Sequence, residues 1–325
     1  MLEMSTLDRA RGVLAGLAIG DALGRPVEGL SPSEIRDKYG SITSFLTEKP
    51  GGSDDTEYAI ATSLAIIEYG RNITSQEFAQ YWRKNICTQS ASFLGAGFSE
   101  MLAISNLIKG LNPPLSGTHV HSWSDGLAMR IAPCGIVGRD DIELTKRLTV
   151  ADGQVSHAGE GIESGIAVAV AISLAMDGRN HLEVISQMLE HLNSDSWTYR
   201  SIQKAIEIFN ESPEAEMSKV VDLLVAAIAT HDYAFADLGP EAVALAISAV
   251  LYGNGDFAQT LLFAVNLGRD ADTIAAMAGA IIGGIVGYSA IPDYWRDNLL
   301  PVEGTCLAFT NGIDPVTLAE RLIRL

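Results

Sequence analysis

Apolar residues recur with helical rather than strand periodicity along most of the chain. Over 7–20, Leu7, Ala10, Leu14, Leu17 and Ala18 fall on one face; over 56–69 the spacing returns with Ala59, Ile60, Ser63, Leu64 and Ile67. The same reading predicts helices at 74–86, 97–109, 142–150, 160–176, 181–192, 198–210, 215–230, 240–252, 256–266, 273–288 and 315–324. Strand-like alternation is scarce, and only 41–46 predicts a short strand. No linker rich in Pro, Gly or Ser, no short repeat and no low-complexity tract divides the chain. The expectation is an all-α fold in one unit spanning 1–325.

Two of these helices carry glycine at four-residue intervals: Gly12, Gly16, Gly20 and Gly24 in one, Gly279, Gly283 and Gly287 in the other. That interval puts the glycines on one face and predicts close approach of two central helices. Residues 274–291 are nearly free of polar groups, but they are borderline in length for spanning a bilayer and follow directly on an acidic cluster. A buried core helix is the expectation, without membrane insertion.

Composition narrows the function classes. Of 325 residues, 47% are hydrophobic and 19% charged, enough for a sizeable core and unlike a disordered chain. The formal net charge of -18 repels nucleic-acid phosphates and anionic membranes. Cys87, Cys134 and Cys306 are odd in number and far apart, with neither disulfide nor metal spacing, which fits a reducing cytoplasm. The first eleven residues lack the order of a secretory signal.

Chemistry concentrates in five segments. Gly51-Gly52-Ser53-Asp54-Asp55-Thr56 opens an apolar helix, and helix capping alone explains it. Gly268-Arg269-Asp270-Ala271-Asp272-Thr273 repeats that grammar. Facing pairs of carboxylates repel unless neutralised, and hard divalent cations prefer carboxylate and hydroxyl oxygens. The third segment, 20–28, carries Asp21 and Glu28, which read equally as an ion-pair partner and a solvated loop acid. The fourth, His121-Ser122-Trp123-Ser124-Asp125-Gly126, suits a ligand loop and an ordinary turn alike. In the fifth, His157 reads as a structural histidine or a site residue.

In this order, the five segments resemble the ADP-ribosylglycohydrolase family, which includes the dinitrogen-reductase-activating glycohydrolases and the ADP-ribosylarginine hydrolases. The similarity runs from about residue 7 to about 295 and rests on GVLAGLAIGDALG (12–24), GSDDT (52–56), AMRIAP (128–133) and AVNLGRDADTIA (264–275). It implies a compact orthogonal multi-helix bundle with a metal-containing cleft and two ions of Mg²⁺ or Mn²⁺. By position, the implied ligands are Ser53, Asp54, Asp55, Asp270, Asp272 and Thr273. Glu28 matches an acid with a part in catalysis or gating; Asp55 and Glu28 are the implied acid/base candidates. Ser122, Trp123, Ser124, Asp125 and Gly126 would hold the distal ribose or diphosphate, with His157 nearby.

Three departures from the family pattern stand out. Ser53 replaces the usual Thr and keeps the oxygen. Asp125 replaces a common Asn and adds a negative charge. Arg269 and Ala271 replace the Gly and Thr of the commonest form, which bears on the shape of the pocket and the macromolecular substrate rather than on the ligands. The implied activity is hydrolysis of an N-glycosidic bond, of ADP-ribosyl-arginine type, on an ADP-ribosylated protein or a small ribosyl substrate. The competing readings are a ribosyl hydrolase for a nucleoside-like metabolite, a non-catalytic ADP-ribose-binding relative and a two-metal phosphohydrolase.

Overall fold

The computed structural model describes residues 5–211, 216–233 and 235–325. Among these there are seventeen α-helices, short 3₁₀ turns and no strand. In chain order the helices are α1 (Thr6–Gly24), α2 (Pro32–Tyr39), α3 (Asp54–Tyr69), α4 (Ser75–Asn85), α5 (Phe98–Ile108), α6 (Gly126–Arg130) and α7 (Ala132–Val137). Then come α8 (Ile142–Ser156), α9 (Glu160–Met176), α10 (His181–Glu190), α11 (Trp197–Glu211), α12 (Met217–Ile228) and α13 (Gly239–Gly253). The last four are α14 (Phe257–Asn266), α15 (Ala271–Val286), α16 (Asp293–Asn298) and α17 (Ala319–Ile323). Each helix expected from periodicity is present, except that 315–324 opens as a 3₁₀ turn over Pro315–Leu318 and is α-helical only over Ala319–Ile323. The first position of the expected 215–230 helix lies outside the described residues.

The centre is the antiparallel pair α1 and α15. A Cβ placed on Gly12, Gly16 or Gly20 would lie 2.0–2.2 Å from the carbonyl oxygens of Gly283, Gly279 and Ala275 respectively. The glycine stripes therefore let the two backbones touch, as their spacing predicts. All of α15 from Ala271 to Gly284 is buried, with α14, α13 and α9 packed around it and α6, α7 and α8 around α9. The apolar run is a core helix, and no helix among the described residues is long and apolar enough to cross a membrane.

The expected strand at 41–46 is absent. Only Ile42 and Phe45 of that segment join the core. The backbone of Ile42 is satisfied by a side chain instead of a neighbouring strand: its N–H donates to Asn266 Oδ1 (3.0 Å) and its carbonyl accepts from Asn266 Nδ2 (3.1 Å). Ile42 and Phe45, three residues apart, cannot share one face of a strand, and the buried amide stands where a ladder would be.

The antiparallel arrangement has one consequence for function. The C-terminal end of α1, with Asp21 and the turn to Glu28, meets the N-terminal end of α15, with Asp270 and Asp272. The start of α3, with Asp54 and Asp55, is drawn to the same place.

Candidate metal centre and its cleft

Six of the helices open with a side-chain cap. Ser5, Ser31, Thr74, Asp141, Asn180 and Asp256 each accept a backbone N–H from the first turn of the helix they precede. Ser53 and Asp270, at the same position before α3 and α15, make no such bond. Capping therefore does not account for the two acidic clusters.

At α3, capping is performed from another helix. Asp21 Oδ2 accepts from the backbone N–H groups of Ser53 (2.7 Å) and Thr56 (3.1 Å), and Asp21 Oδ1 accepts from the Ser53 hydroxyl (2.7 Å). The Thr56 hydroxyl also donates to Asp21 Oδ2 (2.5 Å). A carboxylate with four donors is a clamp, and it frees Ser53, Asp54 and Asp55 from closing their own helix. The sequence left Asp21 as an ion-pair candidate; its charge amid the Gly, Ala and Leu of a central helix was the available signal for a buried role.

Of the freed acids, Asp55 converges with those of α15, while Asp54 lines the same cavity outside both close groups. Carboxylate oxygens of Asp21, Asp55 and Asp272 lie within 4.8 Å of one another, as do those of Glu28, Asp270 and Asp272. Asp272 belongs to both groups. The Thr273 hydroxyl donates to Asp55 Oδ1 (2.8 Å) and the Ser53 hydroxyl approaches Asp55 Oδ2 at 3.2 Å. Asp272 Oδ1 is buried with no partner. Burial first, then the neighbouring carboxylates, pushes Asp54, Asp55 and Asp272 well above the usual carboxylate range. Glu28 is raised too, by burial, Asp270 and Asp21. Orphaned oxygen and hard-donor set together fit a divalent cation.

The cluster forms one wall of a cavity of about 480 Å³. Glu28, Asp54, Asp55, Asp270, Asp272 and Thr273 line it, and so do Ser124, Asp125 and Gly126. No Lys, Arg or His is among its lining residues. The expected loop is thus brought to the acids only in part. Ser124, Asp125 and Gly126 reach the cavity, whereas Ser122 and Trp123 do not. Trp123 packs edge-on to Tyr233 at 5.1 Å and near His121 at 5.4 Å, and the Ser122 carbonyl accepts from the N–H of Ala158 (3.0 Å). His157 is fully buried and sits behind two lining residues, its Nε2 3.0 Å from Ser124 Oγ and 3.8 Å from Glu100 Oε1. Ser53 sits behind Asp55 rather than on the surface of the cavity.

The sequence missed several groups. Phe98 and Phe235 are the aromatic rings on the cavity wall, beside Asp237. One isolated antiparallel bridge, Ser124 opposite Leu238, matters here: Asp125 N–H donates to the Asp237 carbonyl (3.2 Å) and Gly239 N–H to the Trp123 carbonyl (3.1 Å), which ties the Ser124 loop to the 237–239 segment. Glu100, buried on α5, also faces the cavity; its Oε1 accepts from Arg130 Nη1 (2.8 Å) while Oε2 has no partner. Arg130 in turn is held by Asp152 (3.1 Å), so the α6 motif is anchored through a wholly buried ion-pair network. The signal for Glu100 was a lone acid inside an apolar helical repeat.

The departures at Arg269 and Ala271 do not touch the cavity. Arg269, in the left-handed region at φ 61°, turns its guanidinium to Glu241 (2.6 Å), and its backbone pairs with Gly29 and Leu30 (2.7 and 2.8 Å). Ala271 is buried, its carbonyl against Gly24. The expected reshaping of the pocket by these two residues is therefore indirect, through the turn that carries Glu28.

Comparison with known proteins agrees with the geometry. The ADP-ribosylglycohydrolase family model matches residues 2–324. An uncharacterized protein of Archaeoglobus fulgidus is 32% identical, over 90% of this chain and 92% of that one. The human ADP-ribosylhydrolase ARH3 is 27% identical, over 92% and 91%. The ADP-ribosylarginine hydrolase Tri1 of Serratia proteamaculans is 24% identical, over 93% and 78%. A solved structure described as an ADP-ribosylglycohydrolase-related protein complex superposes with a TM-score of 0.67 at 22% identity, covering 98% of each chain. The chain belongs to the ADP-ribosylglycohydrolase family, hydrolases of N-glycosyl compounds.

Proposed function

We propose that the cleft binds two divalent ions, Mg²⁺ or Mn²⁺, and hydrolyses the N-glycosidic bond of an ADP-ribosylated substrate of the ADP-ribosyl-arginine type, releasing ADP-ribose. The observation that carries this is the pair of uncapped acidic helix starts, whose oxygens gather in two groups sharing Asp272, one of its oxygens buried and unpaired. Ser53, Asp54, Asp55, Asp270, Asp272 and Thr273 are the residues that would hold them. A bound divalent pair supplies Lewis-acid polarisation of the sugar and of water.

The chain's own groups do the rest. Asp21 fixes the loop carrying Asp54 and Asp55. Thr273 donates to one oxygen of Asp55 and Ser53 lies 3.2 Å from the other, which holds the carboxyl in place; with metal bound, its carboxylate would stabilise positive charge growing at the anomeric carbon. Glu28 stands at the exposed rim of the cavity, where a carboxyl can give a proton to the leaving nitrogen. Ser124, Asp125 and Gly126 line the same cavity as the proposed substrate loop. One helical unit over 1–325, acting in the cytoplasm, is part of the same reading. Its partners are an ADP-ribosylated protein or a small ribosyl compound.

A second reading, hydrolysis of a ribosyl metabolite without a diphosphate, is favoured by one observation: the cavity is lined by carboxylates and by no basic side chain. Turnover of ADP-ribosyl-arginine beside small N-ribosides, with and without metal, separates the two. Cleavage of the ribosides alone overturns the first reading.

A further inference from the structure

Arg269 stands in the turn that leads into α15, and two of its features lower the stability of the fold. Its backbone is left-handed, at φ 61°, where a side chain crowds the chain and glycine does not. Its Nη2 is buried with no acceptor among the described residues. A glycine would make the same turn with neither. The backbone bonds of the turn do not require the side chain: Arg269 N–H donates to the Leu30 carbonyl (2.8 Å), and the Arg269 carbonyl accepts from Gly29 N–H (2.7 Å). What the side chain adds is one contact. Its Nε donates to Glu241 Oε1 (2.6 Å), and the Glu241 side chain is fully buried.

Glu241 lies in the first turn of α13, and its second oxygen accepts from the Thr230 N–H (2.8 Å). Arg269 is thereby tied to the start of α13, directly after Phe235, Ala236 and Asp237, which line the cavity. On its other side Arg269 adjoins Asp270 and pairs with the turn of Glu28 and Gly29, all three of them lining residues. Three stretches of wall, distant in sequence, are connected through a residue that does not itself line the cavity. A buried ion pair adds little net stability, since both charges have lost water. It does hold two elements in one register, because displacing either partner leaves a buried charge unpaired.

We infer that Arg269 is a positioning residue which, through Glu241, locks the 235–237 wall to the loop of Asp270 and the turn of Glu28, so that substrate meets one fixed cavity. The inference rests on the glycohydrolase reading above. Arg269 does not contact substrate; it acts through Glu241. Releasing the tie lets the wall drift from Asp270 while the acids and the Glu28 turn keep their backbone bonds. Affinity for substrate then falls and the chemical step does not.

The test compares two variants with wild type, all full-length and metal-loaded. Arg269→Lys keeps the cation and the left-handed backbone. Arg269→Gly combined with Glu241→Gln removes the tie, relieves the backbone and leaves no unpaired buried charge, so it should melt no lower than wild type. In the first arm, amide hydrogen exchange is followed by mass spectrometry, whatever the enzyme cleaves. Exchange over 235–239 is expected to quicken about tenfold in the double variant, with 28–31 unchanged, and to stay near wild type in Arg269→Lys. In the second arm, kinetics on ADP-ribosyl-arginine should show KM raised about tenfold in the double variant with kcat nearly unchanged, and Arg269→Lys close to wild type. Unchanged exchange over 235–239, or unchanged KM, overturns the inference. So does a double variant that fails to fold, or that melts well below wild type with exchange faster throughout, since Arg269 then serves stability alone. If no glycosidic substrate is turned over by wild type, the catalytic reading falls and the exchange arm decides this inference by itself.

Discussion

Asp141 and Asp256 begin α8 and α14 in the open, each accepting the N–H three residues on at 3.0 and 2.7 Å. The acids at the starts of α3 and α15 occupy the same stretch of a helix, under the same dipole, yet Ser53 and Asp270 cap nothing and Asp272 keeps an unpaired oxygen in the core. An exposed cap completes its helix and asks for nothing further. A buried acid that does not cap raises the energy of the fold, because the charged form has lost water without gaining a donor. Identical residue chemistry thus serves structure in one pair of helices and stores an unmet demand for positive charge in the other. Asp21 makes the difference possible at α3, since it closes that helix from a neighbour.

The comparison is broken most sharply by activity. Replacing Asp272 or Asp54 with Ala should lower turnover by on the order of 10³-fold or more, about 4 kcal/mol of transition-state stabilisation, and weaken Mg²⁺ or Mn²⁺ binding. The metal-free variants should melt no lower than metal-free wild type, since an unpaired buried charge has gone. Retained activity, or unfolding, contradicts the assignment. Next in size is the platform on which the acids stand. Gly16→Ala places a Cβ 2.0 Å from the Gly279 carbonyl, and backbone cannot step aside as a side chain would. Denaturant titration should show a loss of about 3 kcal/mol.

The pH dependence of stability follows with a definite sign. Asp54, Asp55 and Asp272 are raised above 3.8 in the folded chain, so the folded state holds protons that the unfolded state releases. Their penalty is absent below the unfolded carboxylate value, about 4, and grows as pH climbs through the raised folded values. With chelator, Tm should fall as pH rises from about 4 to 7; Mg²⁺ or Mn²⁺ at about a hundred times its Kd should restore about 2.7 kcal/mol at neutral pH. A chelated protein with flat stability across that range argues against the crowded, ion-demanding cluster. The smallest effect belongs to the ordinary cap: Asp256→Ala should cost about 1 kcal/mol in denaturant titration and leave turnover unchanged.

Much of this was legible in the sequence for physical reasons. Helical periodicity and glycine spacing are local patterns, and they located α1, α15 and the seam between them. Repeated grammar in two segments exposed Asp54, Asp55, Asp270 and Asp272 as a set. What remained hidden was pairing at a distance. Asp21 caps a helix that begins 33 residues later, Asn266 satisfies Ile42 across 224 residues, and Glu100 reaches the cavity from α5 because Arg130 draws it there. The 41–46 segment misled because local sequence does not reveal which partner serves the backbone. The loop was half legible: Ser124, Asp125 and Gly126 face the cavity, while Trp123 and His157 support it from behind, a distinction of side-chain direction that residue type does not carry.

The measurement that bears most directly on the central claim is release of ADP-ribose from ADP-ribosyl-arginine by the intact protein, before and after chelation and after return of Mg²⁺ or Mn²⁺. Release that stops with the chelator and resumes with the metal is the predicted result. Release that continues undiminished in the metal-free protein, or appearance of phosphate with the glycosidic bond intact, would contradict it.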